Sequence, residues 1–235
     1  MTNDRRLAAL TGGLYLLTFA TSIPALPLKR AFLDGDGTTA MLNGAVILEI
    51  VLALACIGTA VAFYPVGKRY NPALALGFVA SRTLEASAVV TGVIALLSVG
   101  TLRSLASSGD ADAGAADAAL VAVHDAAVLL GPGLMPAVNA LLFGTLLYRA
   151  RLVPRIIPLV GLIGAPLLLL SVLGTLLGLI DQVSPLAGLA ALPIAIWEFS
   201  IGIWLLVKGF RPSAVPPAPQ QPATHFSLRS QEQGA

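Results

Sequence analysis

The sequence is short of charged residues. Only 11% of its 235 residues are charged, whereas 57% are hydrophobic. Soluble domains carry about 25% charged residues, so a chain of this composition must have lipid as its main solvent. The net charge is only +2, and no basic stripe carries interleaved aromatic residues. Nucleic acid is therefore not expected as a partner.

Cysteine and histidine are almost absent. The single cysteine, Cys56, excludes an intrachain disulfide. Of the two histidines, His225 lies in a polar tail and only His124 lies near the apolar part of the chain. This excludes a three-histidine zinc site and argues against bis-histidine haem ligation. The sequence also lacks the common soluble-enzyme motifs, and no cofactor or metal is expected.

The hydrophobic residues fall into six long runs, each near the roughly 20 residues that a helix needs to cross a bilayer. The runs cover Leu7–Leu28, Asn43–Tyr64, Ala73–Val99, Ala119–Tyr148, Ile156–Ile180 and Leu186–Val207. We therefore predict an all-α integral membrane bundle of six transmembrane helices, formed by residues 1–211. Residues 212–235 are rich in Pro and Gln and are predicted to be a disordered tail.

Basic residues predict the orientation of these helices. With the N-terminus inside, ten of the 14 Lys and Arg residues fall on the inner side of the membrane. Lys29, Arg30 and Arg103 fall outside, and Arg82 lies within a span. Because cytoplasmic loops of membrane proteins are enriched in Lys and Arg, both termini are predicted to be cytoplasmic.

Five charged residues interrupt the apolar runs, namely Glu49, Arg82, Glu85, Asp125 and Glu198. Each costs about 2.5–3.5 kcal/mol at the centre of a lipid-facing helix, so these residues should face the bundle interior, pair or become protonated. Arg82 and Glu85 are three residues apart and should be neighbours on one helix face. Counted along the helices, Glu49 lies near the depth of Glu85 and Glu198 lies near the depth of Arg82, which allows one polar layer. With Arg82 and His124 as the only candidate cations, some carboxyl groups are expected to carry protons.

The fourth run is irregular at its centre, where Gly131, Pro132, Gly133 and Pro136 precede Asn139. Proline removes a backbone donor and crowds the preceding turn, and glycine lets the chain open. Two interpretations are possible: a proline-kinked helix in which Asn139 bonds to a neighbour, or a broken helix at a binding site.

Small residues in the fifth run predict close helix packing. Gly174 and Gly178 are four residues apart, which matches the spacing that lets two membrane helices approach closely.

Four stretches together resemble one known family. They are Thr11–Pro27 (TGGLYLLTFATSIPALP), Ser81–Ser87 (SRTLEAS), Gly133–Pro166 (GLMPAVNALLFGTLLYRARLVPRIIPLVGLIGAP) and Leu192–Phe210 (LPIAIWEFSIGIWLLVKGF). They resemble the bacterial membrane proteins grouped as domain of unknown function (DUF) 4386. The resemblance implies a multi-pass protein of the bacterial cell membrane. It implies no activity, substrate or catalytic residue.

Three functions are compatible with these observations. The first is transport of a small solute, coupled to protons, through a site formed by Glu49, Arg82, Glu85, Asp125, Asn139 and Glu198. The second is a membrane enzyme that acts on a lipid or quinone through Arg82, Glu85 and Glu198. The third is an accessory subunit whose charges pair with a partner. All three place the chain in a lipid bilayer, and the first two require a small-molecule or lipid ligand.

Overall fold

The computed structural model describes residues 3–106 and 113–212, and this part of the chain contains helices and no strand. Six helical spans are long and apolar enough to cross a membrane, which confirms the predicted all-α bundle. The spans are α1 (Asn3–Leu33), α2 (Thr39–Gly67), α3 (Pro72–Ala106), a composite fourth span (Gly114–Ala150), α7 (Ile156–Leu176) and α8 (Pro185–Val207). The predicted tail lies almost entirely outside the described residues.

The first span is longer than the sequence predicts. Helix α1 continues through Pro24 and Pro27 and ends at Leu33. Membrane helices tolerate proline because neighbouring groups can satisfy the carbonyls that it leaves free. As a result, Lys29 lies inside the helix and is 7% exposed, although the sequence places it in an outer loop.

The fourth span is helical throughout and is not broken. It consists of α4 (Ala113–Val128), a π-helical segment (Leu129–Leu134), α5 (Met135–Asn139), a second π-helical segment (Ala140–Gly144) and α6 (Thr145–Ala150). Pro132 has no backbone N–H to donate, and it lies in the first π-helical segment, where the turn is wider than in an α-helix. The broken-helix interpretation is therefore wrong.

The six spans pack largely in chain order, and α8 returns to pack against α1. An aromatic cluster fills the half of the bundle nearer the termini; its members are Tyr15, Phe63, Phe78, Phe143 and Trp197. Phe143 lies at its centre, with ring centroids 4.5 Å from Phe78 and 4.6 Å from Phe63. This half is therefore closed by packed rings.

Large hydrophobic side chains cover the outside of the bundle. Leu54 and Leu170 are each 64% exposed, and Ile94 is 60% exposed. An exterior of this kind suits a lipid bilayer, which agrees with the environment predicted from composition.

The glycines at which helices approach closely differ from the two that the sequence analysis predicted. Gly178 lies beyond the end of α7 at φ +70°, a turn conformation, so the predicted Gly174–Gly178 packing motif is wrong. At Gly161, by contrast, an added Cβ would lie 2.5 Å from Cδ2 of Trp197, so α7 and α8 touch there. At Gly12 an added Cβ would lie 2.5 Å from the carbonyl oxygen of Gly202, so α1 and α8 also touch.

Two arginines bind the carbonyl ends of helices. Arg5 donates to the carbonyls of Leu205, Leu206 and Val207 at the end of α8, at 2.8–3.2 Å. Arg103 binds the Phe32 and Leu33 carbonyls at the end of α1, and it also pairs with Asp117 of α4. Such cations satisfy orphan carbonyls and complement the negative end of the helix dipole.

Candidate functional site

A cavity of about 760 Å³ lies between α1, the fourth span, α7 and α8. Arg30, Asp34 and Gln182 line its mouth, at the end of the bundle opposite the two termini. Its walls are mainly apolar, and they include Leu129, Leu168, Val172 and Ile194. The charged side chains of Arg82, Glu85 and Glu198 line its deeper part, which we call the floor. The volume is within the range of small-molecule sites.

The floor is built on the ion pair that helical spacing predicts. Arg82 and Glu85 are one turn apart on α3, and Nη1 of Arg82 donates to Oε2 of Glu85 at 2.8 Å. The same carboxylate oxygen accepts from Nδ2 of Asn139 at 2.7 Å. Oδ1 of Asn139 in turn accepts from Oγ of Ser81 at 2.6 Å. These bonds join α3 to the fourth span and fix the carboxylate of Glu85.

The Arg82 side chain is only 2% exposed, and its hydrogen-bonding capacity is only partly used. The ring of Tyr15 covers one face of the guanidinium, with its centroid 4.8 Å from Cζ. Within the described part of the chain, Nε and Nη2 have no hydrogen-bond partner. Because buried donors are almost always satisfied in proteins, these two groups call for a partner that the described residues do not supply.

Glu198 approaches the floor from α8. One of its carboxyl oxygens, Oε1, is buried and has no hydrogen-bond partner among the described residues. Its neighbour Trp197 is fully buried and packs against Gly161 and Tyr15, which fixes the rotation of α8. Glu198 consequently lines the same cavity as Arg82 and Glu85.

Glu49 has a different partner from the one that the polar-layer prediction implies. It is buried and pairs with Lys29, so this ion pair joins α2 to α1. The prediction that Arg82 and His124 are the only candidate cations is therefore wrong, because α1 extends far enough to bury Lys29. Glu49 does not line the cavity, whereas Lys29 does.

The remaining predicted residues lie on the fourth span. Asp125 is exposed in the cavity wall, and its backbone carbonyl accepts a hydrogen bond from Gln182 at 3.3 Å. His124 is buried, with Nδ1 3.0 Å from the carbonyl oxygen of Gly92, and so it ties α4 to α3. Among the described residues, no three His, Cys, Asp or Glu side chains are grouped to hold a metal ion.

A family model matches residues 10–209, nearly the whole of the helical bundle. The chain belongs to the DUF4386 family. The family is described as a domain of unknown function, so membership assigns no activity to the floor of the cavity. No curated protein and no solved structure matches the chain.

The sequence analysis did not predict two side chains of the site in this DUF4386 protein, namely Tyr15 and Lys29. A signal for Tyr15 exists in the spacing of polar residues in α1. Thr11, Tyr15, Thr18 and Ser22 recur every three or four residues, which places them on one face of the helix. Thr18 and Ser22 line the cavity. No comparable pattern points to Lys29, whose burial depends on where α1 ends.

Proposed function

We propose that this protein transports a small solute across the bacterial cell membrane together with a proton. The observation that carries the proposal is the floor of the cavity. There a buried arginine keeps two unpartnered N–H groups, and Oε1 of Glu198 at the same floor also lacks a partner among the described residues. Intramembrane charges that line a cavity are typical of solute and proton pathways.

Charge balance supports Glu198 as the group that carries the proton. Arg82 provides one positive charge at the floor, while Glu85 and Glu198 provide two carboxyl groups. Glu85 accepts hydrogen bonds from both Arg82 and Asn139, so its Oε2 already has two partners within the bundle. Glu198 has no such bond to Oε1 from the described residues, and so it is the carboxyl group assigned to exchange a proton.

The fourth span is the element proposed to move. Pro132 and Pro136 line the cavity, and Asn139 holds the floor. Two π-helical segments flank α5, and such segments often occur at functional sites. A shift of this span against α3 and α7 would open the aromatic cluster and expose the floor to the other side of the membrane, as alternating access requires.

The other two hypotheses use the same polar groups differently. An accessory subunit would direct its charges toward a partner, whereas Arg82, Glu85 and Asn139 bond to one another inside the bundle. A membrane enzyme would act on a lipid or quinone at the floor. Nothing specific to the geometry favours either role over transport.

Cysteine labelling tests the transport proposal. In a variant with the only native cysteine replaced, Cys56→Ser, the substitution Ala195→Cys places one thiol on the cavity wall. If the cavity opens alternately to the two sides of the membrane, a membrane-impermeant thiol reagent should label this thiol from either face of oriented proteoliposomes. The control Leu170→Cys, on the lipid-facing surface, should be labelled from neither face. Labelling of the Ala195→Cys variant from one face alone would contradict transport.

A further inference from the structure

We infer that the solute is a monocarboxylate with an apolar body, bound by the Nε and Nη2 edge of Arg82. This inference rests on the proposed function and names its substrate class. Four observations carry it: the free edge of Arg82, the charge at the floor, the apolar walls and the position of the other cations.

The free edge of Arg82 matches a carboxylate. In a guanidinium group, Nε–H and the adjacent Nη2–H point in parallel from one edge, which fits the two oxygens of a carboxylate. The third nitrogen, Nη1, is already bonded to Glu85, and the ring of Tyr15 covers one face. A carboxylate on the free edge would satisfy both unpartnered donors at once, which a single hydroxyl or carbonyl oxygen does less well.

Charge at the floor requires that the carboxylate binds together with a proton. Glu85 already neutralises Arg82, so a ligand carboxylate adds a negative charge near Glu198. Tyr15 on α1, Cys56 on α2, and Arg82 and Glu85 on α3 are the titratable or charged groups that interact electrostatically with Glu198 there. A proton taken up with the ligand and shared with Glu198 cancels the charge that the ligand adds, and it gives Oε1 of Glu198 a hydrogen-bond partner. The bound carboxylate and proton then cross together without net charge.

The walls select an apolar body with a single acid group. Leu129, Leu168, Val172 and Ile194 surround the space above the floor. The other basic residues among those described as lining the cavity are Lys29, which is paired with Glu49, Arg30 at the mouth, and His124, whose Nδ1 lies 3.0 Å from the carbonyl oxygen of Gly92. No second free guanidinium or ammonium group lies beside the floor within the described residues to take a second carboxylate. A dicarboxylate or a polyol is therefore a poorer fit.

Tryptophan fluorescence provides a direct binding test. The chain has two tryptophans, so the substitution Trp204→Phe leaves Trp197, next to Glu198, as the only reporter. With the protein in nanodiscs, decanoate should change this fluorescence in a saturable way. Methyl decanoate and decylamine have the same apolar body without the carboxylate, and both should bind at least about tenfold more weakly. Propionate, with almost no apolar body, should also bind more weakly than decanoate.

Variants identify the binding group. Arg82→Lys keeps the positive charge but removes the edge with two parallel N–H donors, and it should weaken decanoate binding at least about tenfold. Glu198→Gln removes the competing negative charge and should bind decanoate at least as tightly as the parent protein. Arg149→Lys, at an exposed arginine that is not among the residues lining the cavity, is the matched control and should change affinity less than about twofold.

Several results would overturn the inference. Equal binding of decanoate, its methyl ester and decylamine would exclude carboxylate recognition, and tighter binding of propionate would exclude the apolar body. Equal effects of Arg82→Lys and Arg149→Lys would exclude the assigned edge. Because cysteine labelling measures access and fluorescence measures binding, the two proposals can fail separately. Decanoate binding with labelling from one face would leave the ligand class standing and would reject transport.

Discussion

A single buried arginine connects most of the polar groups in this bundle. Arg82 is bonded to Glu85, lies against Tyr15, lines the cavity and has two buried donors that no described residue satisfies. A fully paired arginine would serve only to lock helices together. The partial use of its donors is what makes Arg82 a candidate for binding rather than for packing alone.

The ion pair between Lys29 and Glu49 belongs to a different class, because both side chains are buried and bonded to each other. Replacing Lys29 by Met leaves the Glu49 carboxylate buried without its partner. We expect this variant to lose about 3–5 kcal/mol of unfolding free energy. Unfolding by SDS titration, followed by circular dichroism, measures the loss.

The double variant Lys29→Met with Glu49→Met is the control for that experiment. Removing both charges leaves no unpaired ion at this contact, so most of the lost stability should return. A double variant as unstable as the sum of the two single variants would show that the ion pair is not the cause. In that case, the packing of the two side chains would be the stabilising factor.

At the scale of the element, glycine sets which helices touch. Gly161 faces the indole of Trp197, and an added Cβ would lie 2.5 Å from it. Gly161→Ala should therefore force α7 from α8 and lower the unfolding free energy by about 1–3 kcal/mol. In the Trp204→Phe background it should also shift the emission of Trp197.

Gly188 offers a matched comparison on α8. An added Cβ there meets nothing within 4 Å, so Gly188→Ala should be neutral or should stabilise the helix by up to about 1 kcal/mol. If the two alanine substitutions had the same effect, close packing at Gly161 would not explain the contact between α7 and α8.

The fourth span illustrates how an element can differ from its sequence pattern. Prolines and glycines at its centre predicted a kink or a break, yet the helix continues as two π-helical segments around α5. Each π-helical turn inserts an extra residue and rotates the next part of the helix about its axis. Asn139, between the two segments, bonds to Ser81 and Glu85 on α3, which is the contact with a neighbouring helix that the kinked-helix interpretation predicted.

At the scale of the whole molecule, the distribution of Lys and Arg predicts the orientation in the membrane. Both termini, and the end of the bundle closed by aromatic rings, should face the cytoplasm. Alkaline phosphatase fused after Arg211 should then be inactive in bacterial cells, whereas a fluorescent protein at the same position should fluoresce. The same reporters inserted after Gly35 should give the opposite result. Reversed signals would place the cavity mouth at the cytoplasmic face.

Much of the architecture could be predicted from the sequence because lipid leaves few choices. A bilayer core demands runs of apolar residues with internally satisfied backbones, and six such runs predicted six helices. The charges within them stood out against that background. The contact between Arg82 and Glu85 could be predicted from their spacing on one helix, which needs no knowledge of other helices.

Contacts between helices were decided only by tertiary structure. Depth along separate helices suggested that Glu49 joins the floor, but the length of α1 gave it Lys29 as a partner instead. Tyr15 reached Arg82, and Glu198 reached the cavity, because glycines such as Gly12 and Gly161 let α8 approach α1 and α7 closely. The sequence alone determined which residues are costly in lipid, since that cost is local. Which of them meet depends on helix ends, rotations and close contacts, which are properties of the packed bundle.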